Sequence, residues 1–342
     1  MKTDLYHSIV NYFQSIPPQN ELTVGVEQEF FLLKNGLPVL HEESQQFLNA
    51  ITGFAPRYVT DENIGCYVEA VTDNESNTIK YDHHPFLLEI EIAYSSDLNL
   101  IEQRLQHCFH AVYNAATTLH FEICFDPILA ISTSDGRTKS DLKFRKELIH
   151  YRSKLFELRN EPIDEAIANY AAGIAATQVH IGGVPFKKYD EVFPALYQKE
   201  KAILNAVKNS IKSRFSPSTI FEKREQLYKA AFKNYPLAGF PAFEWTVENW
   251  IEALQNTPLF GTEEEYFTAK TFNDFPELAT SMPTEEFLFR VRDLQWIKPH
   301  RQGTVEFRAC PALPDVESII KLCTLRLNTV KNILKNEPVR TA

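Results

Sequence analysis

The sequence lacks the features that mark the commonest functional classes. Its five cysteines in 342 residues (Cys66, Cys108, Cys124, Cys310 and Cys323) are odd in number and scattered, with no CxxC pair. That spacing excludes a disulfide framework and a zinc knuckle, so they are expected to be buried thiols. No apolar run approaches the roughly 18 residues a membrane helix needs, and even residues 86–94 are interrupted by Glu89 and Glu91. Residues 1–16 place Leu5, Ile9, Phe13 and Ile16 at helical spacing without a basic start and long apolar core, so they read as an amphipathic helix and not an export signal. No membrane partner and a cytoplasmic location are expected. Positive charge is also scarce: 35 Lys and Arg against 45 Asp and Glu give a net charge of −10, which argues against duplex nucleic acid, whose binders cluster cations against phosphates. There is no GxxxxGK[ST] loop, GxGxxG turn, GxSxG elbow or HExxH helix, so any nucleotide site must be built another way. No repeat or low-complexity linker divides the chain, and a single catalytic domain over 1–342 is expected.

What is present suffices for a large core, since 44% of residues are hydrophobic and 12% aromatic. Strand patterns fall at residues 22–33, followed by an Asn35-Gly36 turn, and at 86–94, 121–125, 177–181, 287–291 and 304–309. Helical patterns occupy 141–158, 189–210, 221–232 and two longer stretches opened by Asp97 and by Pro314-Asp315, with 213–218 a polar loop. Strands and helices without regular alternation predict an α+β fold: a mostly antiparallel sheet with helices on one face, the other face free to line a cleft.

Acids recur on one side of these strands. In Gly25-Val-Glu27-Gln-Glu29 the two carboxylates share a face about 6.5–7 Å apart, where they repel unless cations intervene. Oxygen ligands of this kind suit Mg²⁺ held with ATP phosphates, although two acids on a solvated face would look the same. The run Lys80-Tyr-Asp82-His-His-Pro-Phe-Leu-Leu-Glu89-Ile-Glu91 adds more acids, of which Asp82 and Glu89 are the metal candidates. His83 and His84 have no HxxxH or cysteine partner and read as loop residues. His180 lies in a strand of small residues ending at Gly182-Gly183, and Glu306 and Arg308 share a face in Gly303-Thr-Val-Glu-Phe-Arg308. A carboxylate for a metal beside a guanidinium for a phosphate is what phosphoryl transfer requires; an ordinary ion pair is the alternative.

Taken in order, GVEQEF, YDHHPFLLEIEIA, TQVHIGG, Gly239-Phe-Pro-Ala-Phe, the run from Trp296 to Arg308 and Pro314-Asp-Val-Glu-Ser resemble the glutamate–cysteine ligase family, in particular its bacterial carboxylate–amine ligase branch, over about residues 20–335. The resemblance implies an antiparallel sheet curved into a funnel, as in the glutamine synthetase catalytic domain. It implies that Glu27, Glu29, Asp82, Glu89, His180 and Glu306 hold magnesium, with Mn²⁺ as an alternative, together with ATP phosphates, and that Glu29, Glu306 and Arg308 serve catalysis. ATP would phosphorylate a carboxylate, and an amine would attack the acyl phosphate to give an amide such as a gamma-glutamyl product. The chain departs from the branch at Ser213-Arg214-Phe-Ser216-Pro217, at Phe221-Glu-Lys-Arg224 and at Lys298, where the branch tends to have arginine. Arg214, Arg224 and Arg301 are the candidates for substrate carboxylate binding. The amine, a homodimer, and the alternatives of a phosphotransferase or a non-catalytic metabolite sensor on the same scaffold stay open.

Overall fold

The computed structural model describes residues 2–17, 19–129, 150, 153, 156–157, 160–162, 173–211, 217–232, 235–259, 271, 283–291 and 293–335. Strand β1 (Thr23–Lys34) is the axis of the fold. It turns into β2 (Leu37–Pro38) through Asn35 and Gly36, both at positive φ (53° and 73°), the backbone twist that a tight hairpin requires. Strands β3 (Ala55–Asp61), β4 (Gly65–Thr72), β5 (Thr78–His84) and β6 (Leu87–Ser95) form a meander that returns to β1, and β7 (Glu122–Cys124) and β8 (Thr177–Gly182) also pair with it. With β11 (Ile297–Pro299) and β12 (Val305–Phe307), the order is β11-β12-β8-β1-β6-β5-β4-β3 in a ten-stranded sheet whose pairings are all antiparallel. A separate parallel pair joins β9 (Ala238–Gly239) to β10 (Leu294–Gln295). The fold is α+β, with an open strand path among the described residues.

Side-chain alternation sorts the sheet into two faces. Val26, Phe30, Leu88, Ile90, Val179, Ile181, Val305 and Phe307 point one way and are buried. Against that face pack α3 (Leu98–Leu119), α4 (Tyr189–Val207) and α8 (Val316–Leu334). Asp97 caps α3 by accepting the Asn99 amide at 2.9 Å, and Asp315 caps α8 through the Ser318 amide at 2.8 Å. Shorter helices are α1 (Lys2–Ser15), which buries Leu5, Ile9 and Phe13, α2 (His41–Ala50), α5 (Pro217–Ala231), α6 (Val247–Gln255) and α7 (Thr284–Val291). Their apolar side chains join one continuous core. No described helix is long and apolar enough to cross a membrane.

Several expectations are corrected. Residues 287–291 are not a strand but the end of α7: Phe287 and Val291, four apart, are both buried, and Arg290 pairs with Glu286 at 2.7 Å across one turn. His83 and His84 lie in β5 and not in a loop, and the His84 ring stacks on Phe86 at 5.1 Å. Cys66 is exposed on β4 and Cys124 is half-buried, while Cys108, Cys310 and Cys323 are buried. Pro217 opens α5 instead of continuing a loop. The helix expected over 141–158 falls mostly outside the described residues, as do residues 213–216 with Arg214.

Candidate active site

Strand register, more than any single motif, assembles the site. Glu27 lies opposite Glu91 and Glu29 opposite Glu89 across β1 and β6; Gly25 faces His180 and Glu27 faces Gln178 across β1 and β8. Glu306 on β12 is opposite His180 and also opposite Lys298 on β11, and Lys80 on β5 is opposite Glu89. Directly opposed residues of antiparallel strands project to the same side, so all of these side chains share the face away from the long helices. Asp82, two residues beyond Lys80 on β5, reaches the same face by the same alternation, just where the β5–β6 register slips between Tyr81 and His84.

The cleft over this face has a volume of about 240 Å³. Glu27, Glu29, Asp82, Glu89, Gln178, Lys298, His300, Arg301 and Arg308 line its polar side; Trp250 and Leu254 from α6 and Leu288 and Phe289 from α7 line the rest. The working face is therefore walled by two helices and not simply open. The absence of a side chain at Gly25 lets the Tyr94 ring lie close, since a Cβ there would sit 2.6 Å from that ring, which is edge-on to His180.

Inside the cleft, acids and cations are interlocked. Glu29 Oε2 accepts the Ala176 amide at 2.8 Å and Oε1 accepts Gln178 Nε2 at 2.7 Å. Burial, followed by the charge of Asp82, nevertheless raises its pKa to about 8. Burial and then the Glu27 charge push Glu89 well above the usual carboxylate range. Burial alone would also raise Glu27, but His180, whose Nε2 is 3.1 Å from Glu27 Oε1, holds it at about 2. Glu306 is buried yet kept ionised by Lys298 at 3.2 Å and by Arg308, whose Nη1 donates to Oε1 at 2.6 Å. His180 is fixed on its other side by Thr304 Oγ1, 3.2 Å from Nδ1. Burial lowers the pKa of neighbouring His300 to about 4, so it stays neutral at pH 7.

The structure thus gathers Glu27, Glu29, Asp82, Glu89, His180, Glu306 and Arg308 around one cleft. Arg301 reaches the rim, stacked over Phe289 at 5.3 Å. Arg224 is buried, donates Nη1 to the Ala175 carbonyl at 2.8 Å and lies over Trp296, outside the cleft lining. Sequence reasoning did not place Lys80, Gln178, Asp293 and His300 in the site. Gln178 and Lys80 have the correct strand parity, a signal that becomes readable once β5 and β8 are paired with their neighbours. As a divalent-cation site the donor set fits: one oxygen each from Glu27, Glu89 and Glu91 lies within 4.8 Å of the others, and all-oxygen ligation suits magnesium or manganese. No family model matches the chain, and no curated protein matches it.

Proposed function

We propose that the protein is an ATP- and magnesium-dependent carboxylate–amine ligase that forms an amide through an acyl phosphate. The observation that carries this reading is the placement of Glu27, Glu29, Asp82, Glu89, Glu306 and Arg308 around one cleft by strand register, with fixed cations beside the acids. The sheet would correspond to one wall of a glutamine synthetase-like funnel; its antiparallel pairing supports that proposal.

Glu27, Glu29, Asp82, Glu89, His180 and Glu306 would hold the ions. A bound divalent ion would offset repulsion between two anions, the carboxylate nucleophile and the triphosphate. Arg308 has the geometry to meet the transferred phosphoryl group, because its Nη1 is anchored on Glu306 while part of the side chain stays open to the cleft. A fixed guanidinium costs no reorganisation when negative charge spreads over the phosphoryl oxygens. Lys298 holds the other oxygen of Glu306, keeping that carboxylate ionised and oriented. Glu29 retains a proton near neutral pH in the ion-free protein and would release it as a cation binds. Arg301, over Phe289 at the rim, would receive a substrate carboxylate. The wall of Trp250, Leu254, Leu288 and Phe289 would exclude water from an acyl phosphate that water would otherwise hydrolyse.

One observation favours a second reading. His180, Lys80 and Lys298 already neutralise much of the acid cluster, as would suit a metabolite-binding homologue without turnover. Phosphate release from ATP separates the two, measured with Mg²⁺ and glutamate paired with cysteine, other amino acids and simple amines, and with product masses recorded. Release that requires both substrates and yields their amide supports the ligase. ATP binding without release across the panel would overturn it in favour of the sensor, and a stable phosphoryl adduct would point to a phosphotransferase.

A further inference from the structure

Lys80 stands beside the carboxylates that would hold a metal ion. It is opposite Glu89 across β5 and β6, so its side chain is directed by register onto the acidic face. Its Nζ makes a direct ion pair with Glu91 Oε1 and lies 3.5 Å from Glu89 Oε2. These two carboxylates, with Glu27, are the group whose oxygens lie within 4.8 Å of one another. A second buried group points to a ligand in the same cleft: Gln178, opposite Glu27 in register, is 6% exposed and lines it. Its Nε2 is committed to Glu29, and its Oε1 has no hydrogen-bond partner among the described residues, leaving a neutral oxygen free to take a cation.

We propose that the Lys80 ammonium is a tethered resident cation, which holds Glu89 and Glu91 in place in the ion-free protein and competes with a divalent cation for the Glu27–Glu89–Glu91 group. This rests on the metal reading of the cleft given above and adds a determinant of its affinity. A single positive charge on a flexible four-carbon arm neutralises part of the cluster without coordinating it, whereas a divalent ion contacts several oxygens at once. The arm has somewhere to go, since the Lys80 side chain is 27% exposed and starts from a strand beside solvent-reached β4. Divalent binding then requires the lysine to swing out. The free energy of breaking its pairs is subtracted from the affinity of the ion, and the same lysine stabilises the protein when no ion is bound.

The proposal is tested with Mn²⁺ alone, titrated calorimetrically into the whole protein, the Lys80→Met variant and the Lys80→Arg variant. Removing a unit charge from within a few ångströms of the ion should tighten binding by at least about tenfold in Lys80→Met, with no tightening in Lys80→Arg. Without Mn²⁺, Lys80→Met should unfold at a lower temperature than the unaltered protein, and saturating Mn²⁺ should narrow that gap. Equal or weaker Mn²⁺ binding by Lys80→Met would overturn the proposal while leaving the metal reading intact. No binding by any of the three would overturn the metal reading and the proposal together. Because Lys80→Met could fail to fold, a second measurement uses the unaltered protein: the rate of reductive methylation at Lys80, followed by peptide mass. Displacement by Mn²⁺ should speed it several-fold, and an unchanged or slower rate would show that the lysine does not leave.

Discussion

Both faces of the sheet bury charge, and they do so in opposite ways. On the helix side, Arg326 of α8 pairs with Glu200 of α4 at zero exposure, and the guanidinium lies 4.7 Å from the ring of Phe307. Glu200 Oε2 and Arg326 Nε and Nη1 have no hydrogen-bond partner among the described residues. On the cleft side, Arg308 pairs with Glu306 just across the same strand, but its side chain is 24% exposed and Lys298 shares the carboxylate. The first pair is sealed between helices and sheet; the second opens on the cleft. A closed ion pair in the core fixes geometry at a cost in desolvation, whereas one open to a cleft is a candidate for chemistry.

Breaking each pair from its cationic side exposes that difference most strongly. Arg326→Met should cost about 3–5 kcal/mol, because Glu200 is left as a buried charge with no counterion. The double change Glu200→Leu with Arg326→Leu should recover much of that loss, as replacement of a buried pair by packed apolar residues often does. Arg308→Met should cost about 2 kcal/mol or less, since Lys298 continues to neutralise Glu306. ATP turnover should nevertheless fall by about 100-fold or more, the usual scale for loss of a group that stabilises transition-state charge. Thermal unfolding and phosphate release measure the two sides, and equal destabilisation by Arg326→Met and Arg308→Met would mean that the cleft pair is merely structural.

A smaller effect concerns protons. Glu29 has its pKa raised to about 8 in the folded ion-free protein from an ordinary 4.5. The folded state thus holds this proton more tightly than the unfolded state does. Its contribution to stability is complete below about pH 4.5 and is lost as pH rises towards 8. Glu27, held at about 2 by His180, has the opposite sign: its contribution is present above 4.5 and is lost as pH falls towards 2. Denaturant unfolding of the ion-free protein at pH 6.5 and pH 8 isolates the first effect, and Glu29→Gln should flatten that interval by about 2 kcal/mol. An unflattened profile would place the proton elsewhere in the carboxylate cluster.

Much of this contrast was legible in the sequence, and what was not has identifiable causes. Alternation put Glu27 and Glu29 together, and Glu89 with Glu91, because side-chain parity along a strand is local information. The register that set β8 beside β1 and β12 beside β8 is long-range pairing, which no local pattern reports. The motif resemblance pointed to the same cluster without supplying that pairing. Residues 55–84 went unread as strands because β3 is largely exposed and β4 is partly so; without a buried face their hydrophobic period is weak. Missing β5 meant missing that Lys80 and Asp82, two apart on one strand, share the face of Glu89. Residues 287–291 misled in the other direction: Phe287, Phe289 and Val291 alternate as in a strand, yet Phe289 is 40% exposed and the buried pair is Phe287 with Val291, the helical spacing.

The weakest expected effect tests how the cleft face tolerates a methyl group. A Cβ on Gly25 would lie 2.6 Å from Tyr94 Cε1, a separation that forces movement. The atom it meets is the far end of a side chain that is 42% exposed, so the ring can rotate outward and the fold should lose only about 1 kcal/mol or less. On the core face, a displaced ring would have no solvent to enter. Tyr94 stands edge-on to His180 with ring centroids 6.1 Å apart, and its hydroxyl donates to Gln302 Oε1 at 3.3 Å. Gly25→Ala should therefore pull the ring off His180 and open that end of the cleft to water, loosening the Glu27–His180 pair without removing any charged group. Turnover should fall several-fold while unfolding barely shifts, and Tyr94→Ala in the Gly25→Ala background should add little further loss. Additive losses would mean that the alanine distorts the β1 backbone itself and that the ring is a bystander.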